Sequence, residues 1–306
     1  MRSDTVRNVT ALPASASGFR SSEHHGAPRR YVPPSRRDSF AEAGLAAAEG
    51  AGAETYFFDD QDFDSGYFAA TLPEGHASPR GASLPSIVRE VDHIVYMPRI
   101  GTHILAGNTL GQKMAVGWLR DDSRHDLHNE AGQFYEKFAE VNYAREIVER
   151  FRLAVTVSER ILLHGGPDHG TPYDMTPVLV HASSSLPNHD TLAASLLATL
   201  NANITTVAPG AQGYAAARAS STNGFFAHGF SVATGAAGPR TSGSTTGGYT
   251  AHDWERGVTQ DRALARGWAL TGGRPASLRV VSDGAALDAT VASGIAAHGE
   301  GLYAFT

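Results

Sequence analysis

Apolar positions first fall into a usable pattern at residues 40–49, an alanine-rich stretch that predicts a helix ended by Gly50 and Gly52. Residues 54–58 predict a short strand closing in the acidic run Asp59, Asp60, Asp62 and Asp64, and helix, turn and strand together form the second half of a βαβ unit. Residues 84–90 predict a short helix, and 91–97 the clearest strand, stopped by Pro98. In residues 129–151, Phe134, Phe138, Val141, Ile147, Val148 and Phe151 recur at three- and four-residue spacing with charges between them. That pattern predicts the best helix of the chain, its aromatic stripe facing the core and its charges facing water. Strands follow at 152–163 and 177–181 on either side of a tight turn at 165–170, then a helix at 190–200 that Asn188 is placed to cap. Residues 201–249 hold so few large apolar side chains that they read as a long Gly/Ser/Thr-rich loop or insertion. A helix near 259–268 and a strand at 278–281 close the pattern.

Strands alternating with helices predict an α/β fold, a mainly parallel sheet flanked by helices. Residues 1–37 read as a poorly patterned polar leader, and 38–306 as one α/β domain with an irregular insertion at 201–250 and a helix and strand within 251–306. Ser35-Arg36-Arg37-Asp38-Ser39-Phe40 before an alanine-rich run resembles a twin-arginine export signal, but Phe40 is one place late and Glu42 and Glu49 interrupt the apolar stretch. A surface helix and a cytoplasmic location are the expectation, with export as the alternative.

Composition narrows the chemistry. The 306 residues are 42% hydrophobic and 18% charged, which fits a globular chain, and 33 glycines foretell long loops. There is no cysteine, so a cysteine-ligated iron–sulfur cluster, a thiolate zinc site and a catalytic cysteine are excluded. A net charge of -6 argues against nucleic acid as a partner, and no apolar run is long enough to cross a bilayer.

Candidate chemistry concentrates at residues 97–128. A strand empties into a glycine-rich loop with two cations (Arg99, Lys113), an imidazole (His103), Thr102, Asn108 and many backbone N–H groups. Fixed positive charge with convergent donors suits a carboxylate or phosphate, and ordinary turn chemistry is the plainer alternative. His125 and His128, three apart, with Asp121, could ligate a divalent metal without sulfur, or simply stand exposed at a helix start. Gly166 offers a backbone donor in its turn, and Asp190 either caps a helix or accepts from the lysine loop.

The run Val91-Asp92-His93-Ile94-Val95-Tyr96-Met97-Pro98-Arg99-Ile100-Gly101-Thr102-His103, then Thr109-Leu110-Gly111-Gln112-Lys113, resembles domain-of-unknown-function family 362. Thr156–Ile161, Gly166–Gly170 and Asp190–Ala194 follow in that family's order, so the similarity spans roughly residues 40–200. Gly101 stands where the family carries a lysine, Met114 where it carries an asparagine, and Glu159 where it carries an aspartate. The resemblance implies an α/β fold and a polar cleft around Thr102, His103, Lys113 and His128. It implies no reaction.

Two functions fit. In the first, an enzyme holds a small anionic metabolite with Lys113 and Arg99, with His103 as general acid or base and Lys113 beside it; Thr102, Asn108, Gly166 and Asp190 complete the binding set. In the second, the replaced family positions mark a degenerate site in a non-catalytic binding or accessory protein. Neither a substrate nor an oligomeric state follows from the sequence.

Overall fold

A computed structural model describes residues 9–10, 46–103, 106–129, 133–163, 171–203, 258, 261–281, 283–284 and 287–305. In chain order its elements are β1 (Val9–Thr10), α1 (Ala46–Gly50), β2 (Glu54–Thr55), β3 (Tyr67–Ala69), β4 (Ser83–Pro85), α2 (Ile87–Glu90), β5 (Ile94–Tyr96), β6 (Gly101–His103), β7 (Gly107–Thr109) and α3 (Gly111–Met114). There follow α4 (Asp121–Asn129), α5 (Phe134–Val141), α6 (Arg145–Val148), β8 (Phe151–Leu163), β9 (Thr171–Ser183), α7 (Leu186–Ala202), α8 (Arg262–Leu270), β10 (Leu278–Val280), α9 (Ala289–His298) and β11 (Tyr303–Phe305). The fold is α/β, and among the described residues four of the seven strand pairings are parallel: β1 with β2, β10 with β11, and both β5 and β6 with β8. The insertion read at 201–250 and the turn at 165–170 lie almost wholly outside the described residues.

The 13-residue β8 is the spine of the central sheet. β5 and β6 lie one after the other along one edge of it, and β9 runs antiparallel along the other. β7 folds back on β6, a reversal that Gly107 permits at φ +78°. Helix α7 packs on one side of this sheet. Here the residue pattern inverts the usual rule. Ala154, Thr156 and Ser158 of β8 face α7, with Thr156 and Ser158 each only 1% exposed, whereas Val157 on the other face is 51% exposed. Val95 and Met97 beside β8 on one edge, and Val178 and Val180 of β9 on the other, are exposed in the same way. A sheet with parallel pairing usually covers both faces with apolar packing.

Two apolar clusters flank this arrangement. One gathers the aromatic stripe of α5 with Tyr96, Trp118 and Leu84; the other gathers Ile161, Leu163 and Met175 of the sheet with α7, α8 and α9. Most of the stripe is core as expected: Phe134, Phe138, Val141 and Ile147 are buried, with the Phe134 and Phe138 ring centroids 5.3 Å apart, and Phe151 packs against them partly buried, whereas Val148 is 52% exposed. The helix itself is shorter than the periodicity predicts. Asn142 ends α5 by turning its amide back to Phe138 O and Ala139 O, and α6 restarts after Ala144. Its charges divide: Arg145 and Glu149 face water as expected, but others do not. Glu140 is buried against Arg266 and Ala77 N–H, and Glu146 against Thr71 and Arg89, so both tie the 71–77 segment to the helices.

Other predicted boundaries move for local reasons. Residues 83–85 pair with β3, which confines α2 to four residues. The glycine-rich stretch after Pro98 is regular after all, forming β6, β7 and α3. Helix α7 begins at Leu186 with Pro187 in its first turn, so Asn188 lies inside it rather than capping it. Asp261 caps α8, accepting from Leu264 N–H at 3.0 Å. Asp62, in the acidic run, accepts from Ser65 N–H and organises a turn.

Candidate functional site

The β6–β7 hairpin brings three of the sequence-predicted residues together. Cross-strand register pairs Thr102 with Asn108 and His103 with Gly107. Burial alternates strictly from Ile94 to Ile100, and Gly101 pairs with Leu162 while Ile161 and Leu163 face α7. Residues Arg99, Gly101 and His103 therefore point to the outer side of the sheet, and Ile100, Thr102 and Asn108 to the α7 side. Thr102 Oγ1 donates to Leu162 O at 3.3 Å, and the Asn108 amide donates to Asp261 Oδ2 at 2.9 Å. Both tie the hairpin down. His103 is buried, and its Nδ1 accepts from Ala106 N–H at 3.1 Å. A neutral ring must then carry its proton on Nε2, which makes this imidazole a hydrogen-bond donor through Nε2 rather than a base through Nδ1. Arg99 is exposed and makes no ion pair among the described residues.

Lys113 rides elsewhere. Helix α3 is held against α7 by Asp190, a 1% exposed carboxylate that accepts from Gly111 N–H at 2.9 Å and Gln112 N–H at 2.5 Å. Asp190 thus accepts from the lysine loop, and it sits in the interior of α7 rather than capping it. Backbone donors expected to cradle a ligand serve an internal carboxylate at these two positions. Close approach requires glycine: a Cβ at Gly111 would stand 2.6 Å from Leu186 Cδ1 and 2.7 Å from Asp190 Oδ1. Gly111→Ala should therefore lower stability by about 1–3 kcal/mol, the range for overpacking, in a urea titration.

Behind Asp190 lies a polar network that the sequence reading missed. His189 Nδ1 is 2.8 Å from Asp190 Oδ1, and His189 Nε2 is 3.0 Å from Thr156 Oγ1, which also donates to Pro98 O at 2.9 Å. Three contacts in series need three protons, and one hydroxyl with a neutral imidazole supplies two. A neutral His189 ring therefore leaves one of the three contacts without its proton. His181 of β9 stacks on His189 with ring centroids 4.4 Å apart. Neither nitrogen of His181 has a hydrogen-bond partner, and burial, followed by the charge of His189, pushes its pKa down to about 3. Ser158 Oγ is also buried without a partner. Carboxylate, imidazole and hydroxyl in line resemble a catalytic relay, yet every member is sealed beneath α7, so the network as it stands braces the fold.

The remaining predicted residues are scattered. Asp121 is exposed in the first turn of α4, which also carries His125 and His128 at positions three apart; the side chains of both histidines, like Gly166, lie outside the described residues. Among the described residues no three His, Asp or Glu side chains are grouped to hold a metal ion. None of the described helices is long and apolar enough to cross a membrane.

No curated protein and no solved structure matches the chain. A family described as a domain of unknown function (DUF362) matches residues 27–195, more than half of the 306, and these include the hairpin, α3, β8, β9 and the Asp190 turn of α7. The chain belongs to the DUF362 family.

Proposed function

We propose that the chain binds a small anionic metabolite on the outer side of the β6–β7 hairpin, and that it does so as an enzyme. One observation carries the reading. The exposed Arg99 guanidinium, without an ion pair among the described residues, lies on the same side of the strand as the buried His103 ring four residues on, whose Nδ1 is held by Ala106 N–H. Arg99 would supply the charge that draws a carboxylate or phosphate to this side, with the His103 imidazole beside it. Lys113, on the α7 side, is secondary here, and a divalent metal at His125, His128 and Asp121 would be an accessory. A cytoplasmic location follows from Glu42 and Glu49 in the export-like stretch.

A second reading has its own support. Asp190 already fills the backbone donors of residues 111 and 112, as expected of a non-catalytic accessory protein with a degenerate site. Thermal melts against a panel of carboxylates and phosphates separate the two. At a ligand concentration about 100 times Kd, binding stabilises by about 2.7 kcal/mol. The expected result is a shift with at least one anion that Arg99→Ala abolishes without changing the ligand-free melting temperature. No shift across the panel favours the accessory reading. A shift abolished by Lys113→Ala and not by Arg99→Ala moves the ligand to the α7 side and overturns this placement.

A further inference from the structure

We propose that the carboxyl-terminal half of β9, residues 178–183, is where two copies of this chain meet, pairing antiparallel and edge to edge across a twofold axis. Among the described residues β9 pairs with β8 alone, and none of them pairs with the row of backbone N–H and C=O groups on its other edge. Monomeric proteins guard such an edge with charge, proline or brevity. At 13 residues this edge is long, and its two halves are guarded differently. The first half carries Pro172, Pro177 and the exposed Asp174–Arg160 ion pair. From Val178 to Ser183 there is neither proline nor an acidic or basic residue beyond His181, which is buried and kept neutral. Residues 184–188 carry no charge either. The unguarded half is also apolar on its open face, with Val178 48% and Val180 59% exposed.

A second copy fits this half better than a charged partner would. A twofold axis perpendicular to the sheet keeps outer faces on one side, so each outward residue must meet an outward residue. Centred on Val180, that pairing sets Val180 against its own copy, Val178 against the copy's Ala182, and Leu179 against the copy's His181. No like charges meet, and the valine rows of the two sheets join into one stripe. Pairing stops where Pro177, which has no N–H to donate, begins the guarded half.

Sedimentation velocity on the full chain, up to about 100 µM, should show a dimer in rapid exchange, with amide protection that rises with concentration only at 178–183. Val180→Lys and Val180→Glu sit on an exposed face, so each should keep the wild-type circular dichroism and melting temperature. Each alone should sediment as a monomer, because two like charges then stand opposite each other. Mixing the two variants should restore the dimer. A wild-type chain that stays monomeric throughout, a dimer untouched by either substitution, or a mixture that fails to associate overturns the proposal.

Discussion

Replacing Asp190 with alanine is expected to lower stability by about 3–5 kcal/mol, because several buried donors lose their acceptor at once, at about 1–3 kcal/mol each. The loss has three parts. Gly111 N–H and Gln112 N–H lose their acceptor inside the core, and His189 loses the carboxylate opposite its ring. With α3 released, Asn142 also loses its place, because its amide reaches Gln112 O at 2.6 Å. Asp190→Asn should be milder, since one oxygen remains for one of the two N–H groups while the charge opposite His189 is gone. Calorimetry should place the alanine variant roughly 10 °C below wild type and the asparagine variant between them. An alanine variant within about 1 kcal/mol of wild type would mean that water replaces the carboxylate, and that α7 does not seal this region.

Much of the frame was legible in the chain. Strand signals at β5 and β8, the aromatic stripe of α5 and the order of family motifs all located real elements, because each rests on local periodicity or on contiguous residues. Two kinds of information were not local. The first was the facing of β8. Its apolar residues Leu153, Val155 and Val157 mark that face as the one to bury, yet the fold buries Ala154, Thr156 and Ser158 because α7 brings its own polar pair, His189 and Asp190, to that side. Local pattern and global packing conflict here, as they do where a polar network or an interface has been built. The second was partnership across distance. Thr156 and His181 become neighbours only through the register of β8 and β9, and Asp190 meets Gly111 across 79 positions. A His-Asp pair near the start of an otherwise alanine- and leucine-rich helix was the available signal, and weighing Asp190 alone, as a cap or as an acceptor for the lysine loop, left His189 out. The placement of Arg99 and Lys113 on different sides likewise needed the strand alternation and the docking of α3, neither of which spacing reveals.

His181 should make the protein acid-labile in a window set by its own titration. The group binds its proton near pH 6.5 when unfolded and only near pH 3 in the native chain, where burial and the neighbouring His189 charge keep it neutral. Between those values the unfolded state holds one more proton, so stability falls as pH falls, by about 1.4 kcal/mol per pH unit for a full proton. His298, half-buried and also shifted down by burial, adds loss of the same sign. Carboxylates held low by their partners, such as Asp122 beside Arg120, contribute only further into acid, so the interval from pH 6.5 to 5 belongs to the histidines. His181→Leu removes one titrating group and two unpartnered nitrogens while keeping an apolar side chain under α7. Urea titrations across that interval should give a wild-type loss of about 2 kcal/mol or more and a clearly flatter profile for His181→Leu, with His298→Leu removing the remainder. An unchanged slope in His181→Leu would mean that water reaches this ring in the native protein. In that event the inner face of β9 is open, and the stack on His189 is a surface contact rather than part of the core.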